Sequence, residues 1–160
     1  MYSNNLICDI LEYINNNVNS YISINDLSNR TFFNRYYIMK LFKKEIGISI
    51  NEYINIKRIN NSINQIRNSN NSFLKIALDN GFNSLEYFSE TFKKVIGANP
   101  STFKKTNSFI VNISERDLNT IKNNLIKIEM IINNTDIYLS RKKPSLQKEK
   151  KLSIFKKRDI

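Results

Sequence analysis

A group of donor and apolar side chains between residues 35 and 40 has the chemistry to read the edges of DNA bases. The group consists of Arg35, Tyr36, Met39 and Lys40, and pairs of its members lie four residues apart. Such a spacing puts side chains on one side of an α-helix. Arg35 and Lys40 can donate hydrogen bonds to guanine O6 and N7. Tyr36 and Met39 can pack on a thymine methyl group. These residue types indicate a helix face that contacts the major groove. The alternative is a helix face that is simply solvated.

A second group repeats this spacing 50 residues later, with different chemistry. It consists of Leu85, Glu86, Ser89 and Glu90. Ser89 can donate or accept a hydrogen bond, and Glu86 or Glu90 can accept one from a cytosine amine. A carboxylate that faces DNA is also repelled by phosphate, so this group either adds less affinity or reads cytosine. The alternative is that one or both acids simply face water.

Six lysines close to these groups are candidates for neutralising phosphates. They are Lys43, Lys44, Lys93, Lys94, Lys104 and Lys105. Phosphate contacts set affinity and register but carry no sequence information. The whole chain has 25 Lys and Arg residues against 14 Asp and Glu, which gives a net charge of +11. This excess favours a polyanionic partner, with nucleic acid ahead of an anionic membrane surface.

Two copies of one pattern position these side chains. Phe42-Lys-Lys and Phe92-Lys-Lys mark equivalent points in the copies, and each is followed by a glycine that suits a helix end. Each copy is predicted to be a helix-turn-helix unit, and we name them the first unit (about residues 24–47) and the second unit (about residues 73–97). Asn34 and Ser84 are suited to N-caps. The second helix of each unit, the predicted recognition helix, then covers about residues 35–46 and 85–96.

Apolar residues at helical spacing predict three further helices before residue 106. One begins at Leu6 and ends in the Asn-rich stretch after Ile14. A long linker helix is capped by Ser49 and runs to about Arg67, and a short last helix starts at Pro100. No convincing alternating strand pattern is present in this region. The predicted fold is all-α, with two helix-turn-helix subdomains joined by a long linker helix.

The sequence after residue 106 predicts a C-terminal helix and a basic tail. Residues 107–140 form an extension in which a capping pattern at 114–117 precedes apolar residues at helical spacing: Leu118, Ile121, Leu125, Ile128 and Ile132. This face is either a homodimer seam over 118–132 or a surface that packs back onto residues 1–106. Residues 141–160 form the tail, with nine Lys or Arg against one Glu between 141 and 158. The tail either adds non-specific DNA affinity or is a solvated, disordered end.

The residues that are missing exclude several functions. The chain has no histidine, three glycines and one cysteine, Cys8. Histidine-dependent nucleophiles, His-rich metal sites and glycine-rich phosphate loops are therefore excluded, so neither an enzyme nor a cofactor is expected. A single cysteine cannot form an intramolecular disulfide, and no run of about 18 apolar residues is present. We expect a cytoplasmic protein that does not enter a membrane.

Residues 7–105 resemble the DNA-binding domain of the AraC/XylS family of bacterial transcription regulators. The resemblance is carried by Leu41-Phe-Lys-Lys-Glu-Ile-Gly47, Ile76-Ala-Leu-Asp-Asn-Gly-Phe82, Tyr87-Phe-Ser-Glu-Thr-Phe-Lys-Lys-Val-Ile-Gly97 and Pro100-Ser-Thr-Phe-Lys104. It implies two recognition helices in successive major-groove segments, with base contacts from Tyr36, Met39 and Lys40. Two departures are Phe32, where many such turns carry glycine, and Glu90, where members often carry arginine. Family members often carry a separate sensor domain, and we expect none within these 160 residues.

These observations predict a sequence-specific regulator of transcription that binds double-stranded DNA. The resemblance implies an activator that also contacts RNA polymerase and associates with the nucleoid when bound. The alternative is a structural, sequence-tolerant DNA-coating protein that relies on its basic charge. Sequence specificity separates the two, because only the regulator discriminates its site from random DNA.

Overall fold

The computed structural model describes residues 2–106, 119–120 and 123–140, with side chains from residue 6 onward. The fold of these residues is all-α, as predicted. Seven helices lie in the first of these ranges: α1 (Tyr2–Asn17), α2 (Ile24–Thr31), α3 (Arg35–Ile46), α4 (Ile50–Asn68), α5 (Phe73–Asp79), α6 (Leu85–Ile96) and α7 (Pro100–Thr106). An eighth, α8, covers residues 123–140. The recognition helices α3 and α6 have the predicted bounds. No strand occurs among the described residues.

Side-chain caps start the helices of both units. The Asn34 side chain accepts a hydrogen bond from the Tyr37 backbone N–H at 2.8 Å, and Ser84 Oγ accepts one from the Tyr87 N–H at 3.1 Å. Both predicted N-caps are therefore present. Ser23 forms a complete capping box with Asp26 at the start of α2. This capping box was not predicted, since the usual pattern has Glu or Gln at the third helical position.

The apolar side chains form two cores, one in each half of the molecule. The first core contains Leu27 of α2, Phe42 of α3 and the completely buried Tyr53 of α4, together with much of α1. The second core contains Ile59 and Ile66 of α4 with residues of α5, α6 and α7. The N-terminal part of α4 thus belongs to one core and the rest to the other. With 19 residues, α4 spans roughly 28 Å.

Phe32 ends α2 in the left-handed backbone conformation, with φ of 60° and ψ of 18°. Phe32 is the one non-glycine residue with positive φ among the described residues. The turn therefore keeps the conformation that glycine adopts readily, although a β-carbon makes it strained. The Phe32 ring is 94% exposed, so no burial compensates for this strain.

The loop after α1 joins the two halves on one side. Arg58 of α4 donates from Nε to the Val18 carbonyl oxygen at 2.8 Å and from Nη2 to the Ser20 carbonyl oxygen at 2.7 Å. A β-carbon on Gly81, in the turn of the second unit, would lie 2.9 Å from the Asn19 backbone. Burial lowers the pKa of the Arg58 guanidinium from its ordinary value. Because that ordinary value is so high, the group remains charged and can hold both carbonyls.

The C-terminal helix α8 packs back onto both cores, which is one of the two predicted alternatives. Ile128 is 2% exposed within the second core, and Leu139 is 9% exposed within the first. Leu125 and Ile132, two other residues of the predicted dimer seam, contact the second core. The predicted capping pattern at 114–117, Leu118, Ile121 and the basic tail lie outside the described residues.

Candidate nucleic-acid interface

The predicted base-reading side chains of α3 share one exposed face. Ile38 and Phe42 point into the first core and are completely buried, so the opposite side of the helix faces outward. There Tyr36 is 75% exposed and Met39 is 53% exposed. Lys40 Nζ lies 6.0 Å from the centroid of the Tyr36 ring. The face therefore combines apolar surface with a nearby cation.

Arg35 occupies the start of the same face and has a partner in α2. Its Nη1 donates to Asn25 Oδ1 at 3.1 Å, and both residues are exposed. Such an exposed hydrogen bond contributes little free energy because water competes for it. The guanidinium is held beside α2 without being buried, so it can still donate to a ligand.

The face of α6 is more polar and is less exposed at two of its four predicted positions. Glu86 and Glu90 are exposed, whereas Ser89 is half-buried. Leu85 was expected to face outward, and this expectation is wrong. Leu85 is half-buried and packs against the second core. The cause is helical spacing, since Leu85 precedes the buried Phe88 by three residues and Phe92 by seven.

Tyr87 is a residue of this surface that sequence reasoning missed. Its side chain is 48% exposed, and its hydroxyl accepts a hydrogen bond from Asn55 Nδ2 of α4 at 3.0 Å. The Tyr87 ring also contacts the Phe82 ring, with centroids 5.8 Å apart. The bond to Asn55 joins α6 to α4 across 32 residues of sequence. Helical spacing within α6 carries no signal for such a contact.

Glu90 and Lys94 lie at the edge of the α6 face, next to α8. They line a cleft of about 480 Å³ whose other walls include Glu52 of α4 and Lys127 of α8. Of the four predicted base-reading residues of α6, Glu90 is the one that lines this cleft. Glu90 is therefore close to the C-terminal extension as well as to the outer face of α6.

Most of the predicted phosphate-binding lysines are exposed on the recognition helices. The exposed ones are Lys43, Lys44, Lys93, Lys94 and, on α7, Lys105. Lys104 differs, because it is half-buried and donates from Nζ to the Ser69 carbonyl oxygen at 3.0 Å. This bond ties α7 to the loop between α4 and α5, which gives Lys104 a role in the fold.

Metal binding and membrane insertion have no support in the described part of the chain. No group of three or more His, Cys, Asp or Glu side chains there is arranged to hold a metal ion. None of the helices described is long and apolar enough to cross a membrane.

The known proteins that this chain resembles agree with one another in fold and in type. A family model described as "Helix-turn-helix domain" matches residues 27–106, half of the chain. The chain is 30% identical over 101 residues to the multiple antibiotic resistance protein MarA of Escherichia coli, covering 63% of this chain and 80% of MarA. It is 26% identical over 103 residues to the transcriptional activator AarP of Providencia stuartii, covering 64% of this chain and 76% of AarP.

A solved structure with the same fold is that of the DNA-binding domain of AdpA, a global transcriptional factor, in complex with a target DNA. The TM-score is 0.58 at 15% sequence identity, and the match covers 62% of this chain and 90% of the AdpA chain. At this identity the likeness shows the fold alone. Helix α8 lies outside the residues that the family model matches.

Proposed function

Because the chain belongs to the AraC/XylS family of DNA-binding transcription regulators, we propose that it binds a specific double-stranded sequence by inserting α3 and α6 into adjacent segments of the major groove. The observation that carries the proposal is the exposed face of α3. Tyr36 and Met39 are 75% and 53% exposed there, beside the donors Arg35 and Lys40. Packing within the chain does not account for apolar side chains at these positions, whereas contact with thymine methyl groups does.

The dimensions of α4 support two contacts by one chain. Helix α4 has 19 residues and spans roughly 28 Å. Adjacent major-groove segments on one side of B-DNA lie about 34 Å apart. With the turns at both ends of α4, the separation suits one recognition helix per groove segment.

Activation of transcription is the second part of the proposal. AarP, 26% identical over 103 residues, is described as a transcriptional activator. By analogy, this chain bound at a promoter would recruit RNA polymerase through a surface that does not face DNA. In vitro transcription from a template with the bound site tests this part, and we expect more transcript when the protein is added.

A DNA-coating protein is the second candidate, and the net charge of +11 favours it. Charge alone gives affinity that does not depend on sequence and falls steeply with salt. The tail, residues 141–160, would then be required for binding. Under the proposed function, removal of the tail only makes the salt dependence shallower.

Selection of bound sequences from a random DNA pool, followed by competition, tests the proposed function. We expect one enriched site of about two helical turns that persists against excess random DNA. Tyr36→Ala combined with Lys40→Ala should abolish this preference. Met130→Ala combined with Lys127→Ala is the control, because it removes one large side chain with apolar surface and one lysine from exposed positions on α8. Random DNA that competes as well as the enriched site would instead support the coating protein.

Replacement of thymine by uracil in the enriched site tests the apolar contacts directly, since it removes only the methyl group. A buried methyl contributes about 0.8 kcal/mol, which corresponds to about a fourfold change in affinity. We expect this loss at the thymines that face Tyr36 and Met39. The loss should disappear in a Tyr36→Ala, Met39→Ala protein.

A further inference from the structure

Helix α8 contacts both halves of the molecule and lies outside the part that the family model matches. We propose that α8 is a strut that fixes the relative placement of α3 and α6, and so determines which spacing between the two DNA contacts the protein accepts. The effect on DNA spacing rests on the proposed function. The effect on the distance between the two halves can be measured without DNA.

The N-terminal part of α8 is anchored to the end of α6. Asn124 Nδ2 donates to the Ile96 carbonyl oxygen at 3.0 Å. This carbonyl belongs to the last turn of a helix, where the intrahelical partners are missing. One turn later, Ile128 inserts into the second core and is 2% exposed. A polar contact and an apolar contact therefore hold the same part of α8 against the second unit.

The C-terminal part of α8 is anchored to the first core. The hydroxyl groups of Thr135 and Tyr53 lie 3.3 Å apart in a buried hydrogen bond. Tyr53 is completely buried and also donates to Asn15 Oδ1 of α1 at 3.4 Å. Leu139, one turn further on, is 9% exposed within the first core. Thr135 thus joins α8 to a contact between α1 and α4.

The distance between the two anchors makes α8 effective as a strut. Asn124 and Leu139 are 15 residues apart, which is roughly 22 Å along a helix. A helix fixed at both ends resists a change in the angle between the halves that it connects. The Arg58 contacts to Val18 and Ser20 join the halves as well. Helix α8 adds a second connection, between other residues.

The outer face of α8 supplies matched controls. Ile126 and Met130 are 55% and 60% exposed, so their truncation shortens apolar side chains on the same helix without touching either core. The strut variants are Asn124→Ala with Thr135→Val, which removes both polar anchors, and Ile128→Ala with Leu139→Ala, which weakens both apolar anchors. The first pair leaves the cores intact and so keeps the test valid if the second pair fails to fold.

Distance measurement by double electron–electron resonance without DNA tests the strut itself. Spin labels at Asn29→Cys in α2 and Leu78→Cys in α5 report the separation of the halves, in a Cys8→Ala background. Asn29 is exposed, and Leu78 is 52% exposed. We expect a single narrow distance distribution for the starting protein and for the Ile126→Ala, Met130→Ala control. The strut variants should give a broader distribution, and an unchanged width in both would overturn the inference.

Binding to sites of altered spacing tests the consequence for recognition. One base pair is inserted between the two contacted segments of the enriched site, and affinity is compared with the original site. Substitution of a residue that couples two sites changes the coupling free energy by an amount equivalent to about a fivefold change in affinity. The affinity for the original site divided by the affinity for the lengthened site measures the preference for the original spacing. We expect this ratio to fall by about fivefold in the strut variants and to stay constant in the control. An unchanged ratio in a folded strut variant would overturn the role in spacing.

The two readouts separate failure of the strut from failure of the proposed function. If the starting protein shows no preferred sequence, the spacing comparison has no site to use, and the proposed function fails. The distance distributions still decide whether α8 holds the halves together. The starting protein can instead show a preferred sequence while the strut variants match the control in spacing tolerance and in the width of the distance distribution. In that case only the proposed role of α8 is wrong.

Discussion

Gly47 and Gly97 end the two recognition helices with the same left-handed backbone but in different surroundings. Their φ angles are +89° and +93°. The Gly47 N–H donates to the Lys43 carbonyl oxygen at 2.9 Å, and the Gly97 N–H donates to that of Lys93 at 2.8 Å. A β-carbon at Gly47 would meet nothing within 4 Å in the described part of the chain. One at Gly97 would lie 2.9 Å from Thr120 Cγ2 and 3.1 Å from Asn124 Nδ2.

Alanine at these two positions should therefore destabilise the protein to different extents. Gly47→Ala introduces backbone strain alone, which costs roughly 1–2 kcal/mol. Gly97→Ala adds displacement of Asn124 and loss of its hydrogen bond to Ile96, worth about 1 kcal/mol. Urea unfolding of both variants measures the difference. The excess at Gly97 should shrink in an Asn124→Ala background without vanishing, because Thr120 Cγ2 still lies 2.9 Å from the added carbon. Equal costs of the two alanine substitutions in otherwise unchanged protein would contradict both contacts.

Phe32 offers a substitution that should raise stability. Its φ of 60° is strained for a residue with a β-carbon, and the ring is 94% exposed. Phe32→Gly removes the strain and loses no buried surface, although glycine gains conformational entropy in the unfolded chain. We expect the free energy of unfolding to rise by about 0.5–1 kcal/mol.

Phe33→Gly is the matched control for Phe32, since it changes the neighbouring residue in the same way. Phe33 has negative φ and stacks on Tyr37 with ring centroids 5.3 Å apart. This variant should be less stable than the starting protein by thermal unfolding. A loss of stability in both variants would mean that the entropy glycine gains in the unfolded chain outweighs the backbone strain at Phe32.

Exposed and bonded lysines should differ in their effect on salt dependence. Lys43→Ala with Lys93→Ala removes two exposed charges from the recognition helices. Each lost phosphate contact should lower the slope of log K against log salt by about 1, with equal loss of affinity for specific and random DNA. Lys104→Ala instead breaks a bond to the Ser69 carbonyl oxygen. It should lower the melting temperature and leave the slope nearly unchanged, as salt titrations by fluorescence anisotropy would show.

Short-range sequence signals were sufficient to predict the recognition helices. Contacts between residues far apart in the sequence could not be predicted in this way. Asn34 and Ser84 cap α3 and α6 through bonds to residues three positions later, so short-range sequence suffices to place these helix starts. Leu85 was assigned to the wrong side although a local signal was present, since it precedes the buried Phe88 and Phe92 by three and seven residues. The bond between Asn55 and Tyr87 spans 32 residues, and periodicity within one helix has no information about such a partner.

Tyr138 of α8 should make stability depend on pH in the alkaline range. Its ordinary pKa is 10.0, and burial, followed by the charges of Glu45 and Cys8, raises the pKa of the folded protein to about 12. Between these two values the unfolded chain has lost the phenolic proton while the folded protein keeps it. The folded state then binds more protons, so stability falls as pH rises. The contribution is complete below pH 10 and is lost as pH approaches about 12.

Replacement by phenylalanine isolates this contribution. Tyr138→Phe keeps the ring and removes the ionisable hydroxyl, so its free energy of unfolding should fall less steeply between pH 10 and 12 than that of the starting protein. Urea unfolding at intervals across this range measures the two slopes. Some decline should remain in the variant, since burial also raises the pKa of Tyr53. Identical slopes would mean that the Tyr138 hydroxyl ionises as readily in the folded protein as in the unfolded chain, which would contradict the packing of α8 against the first core.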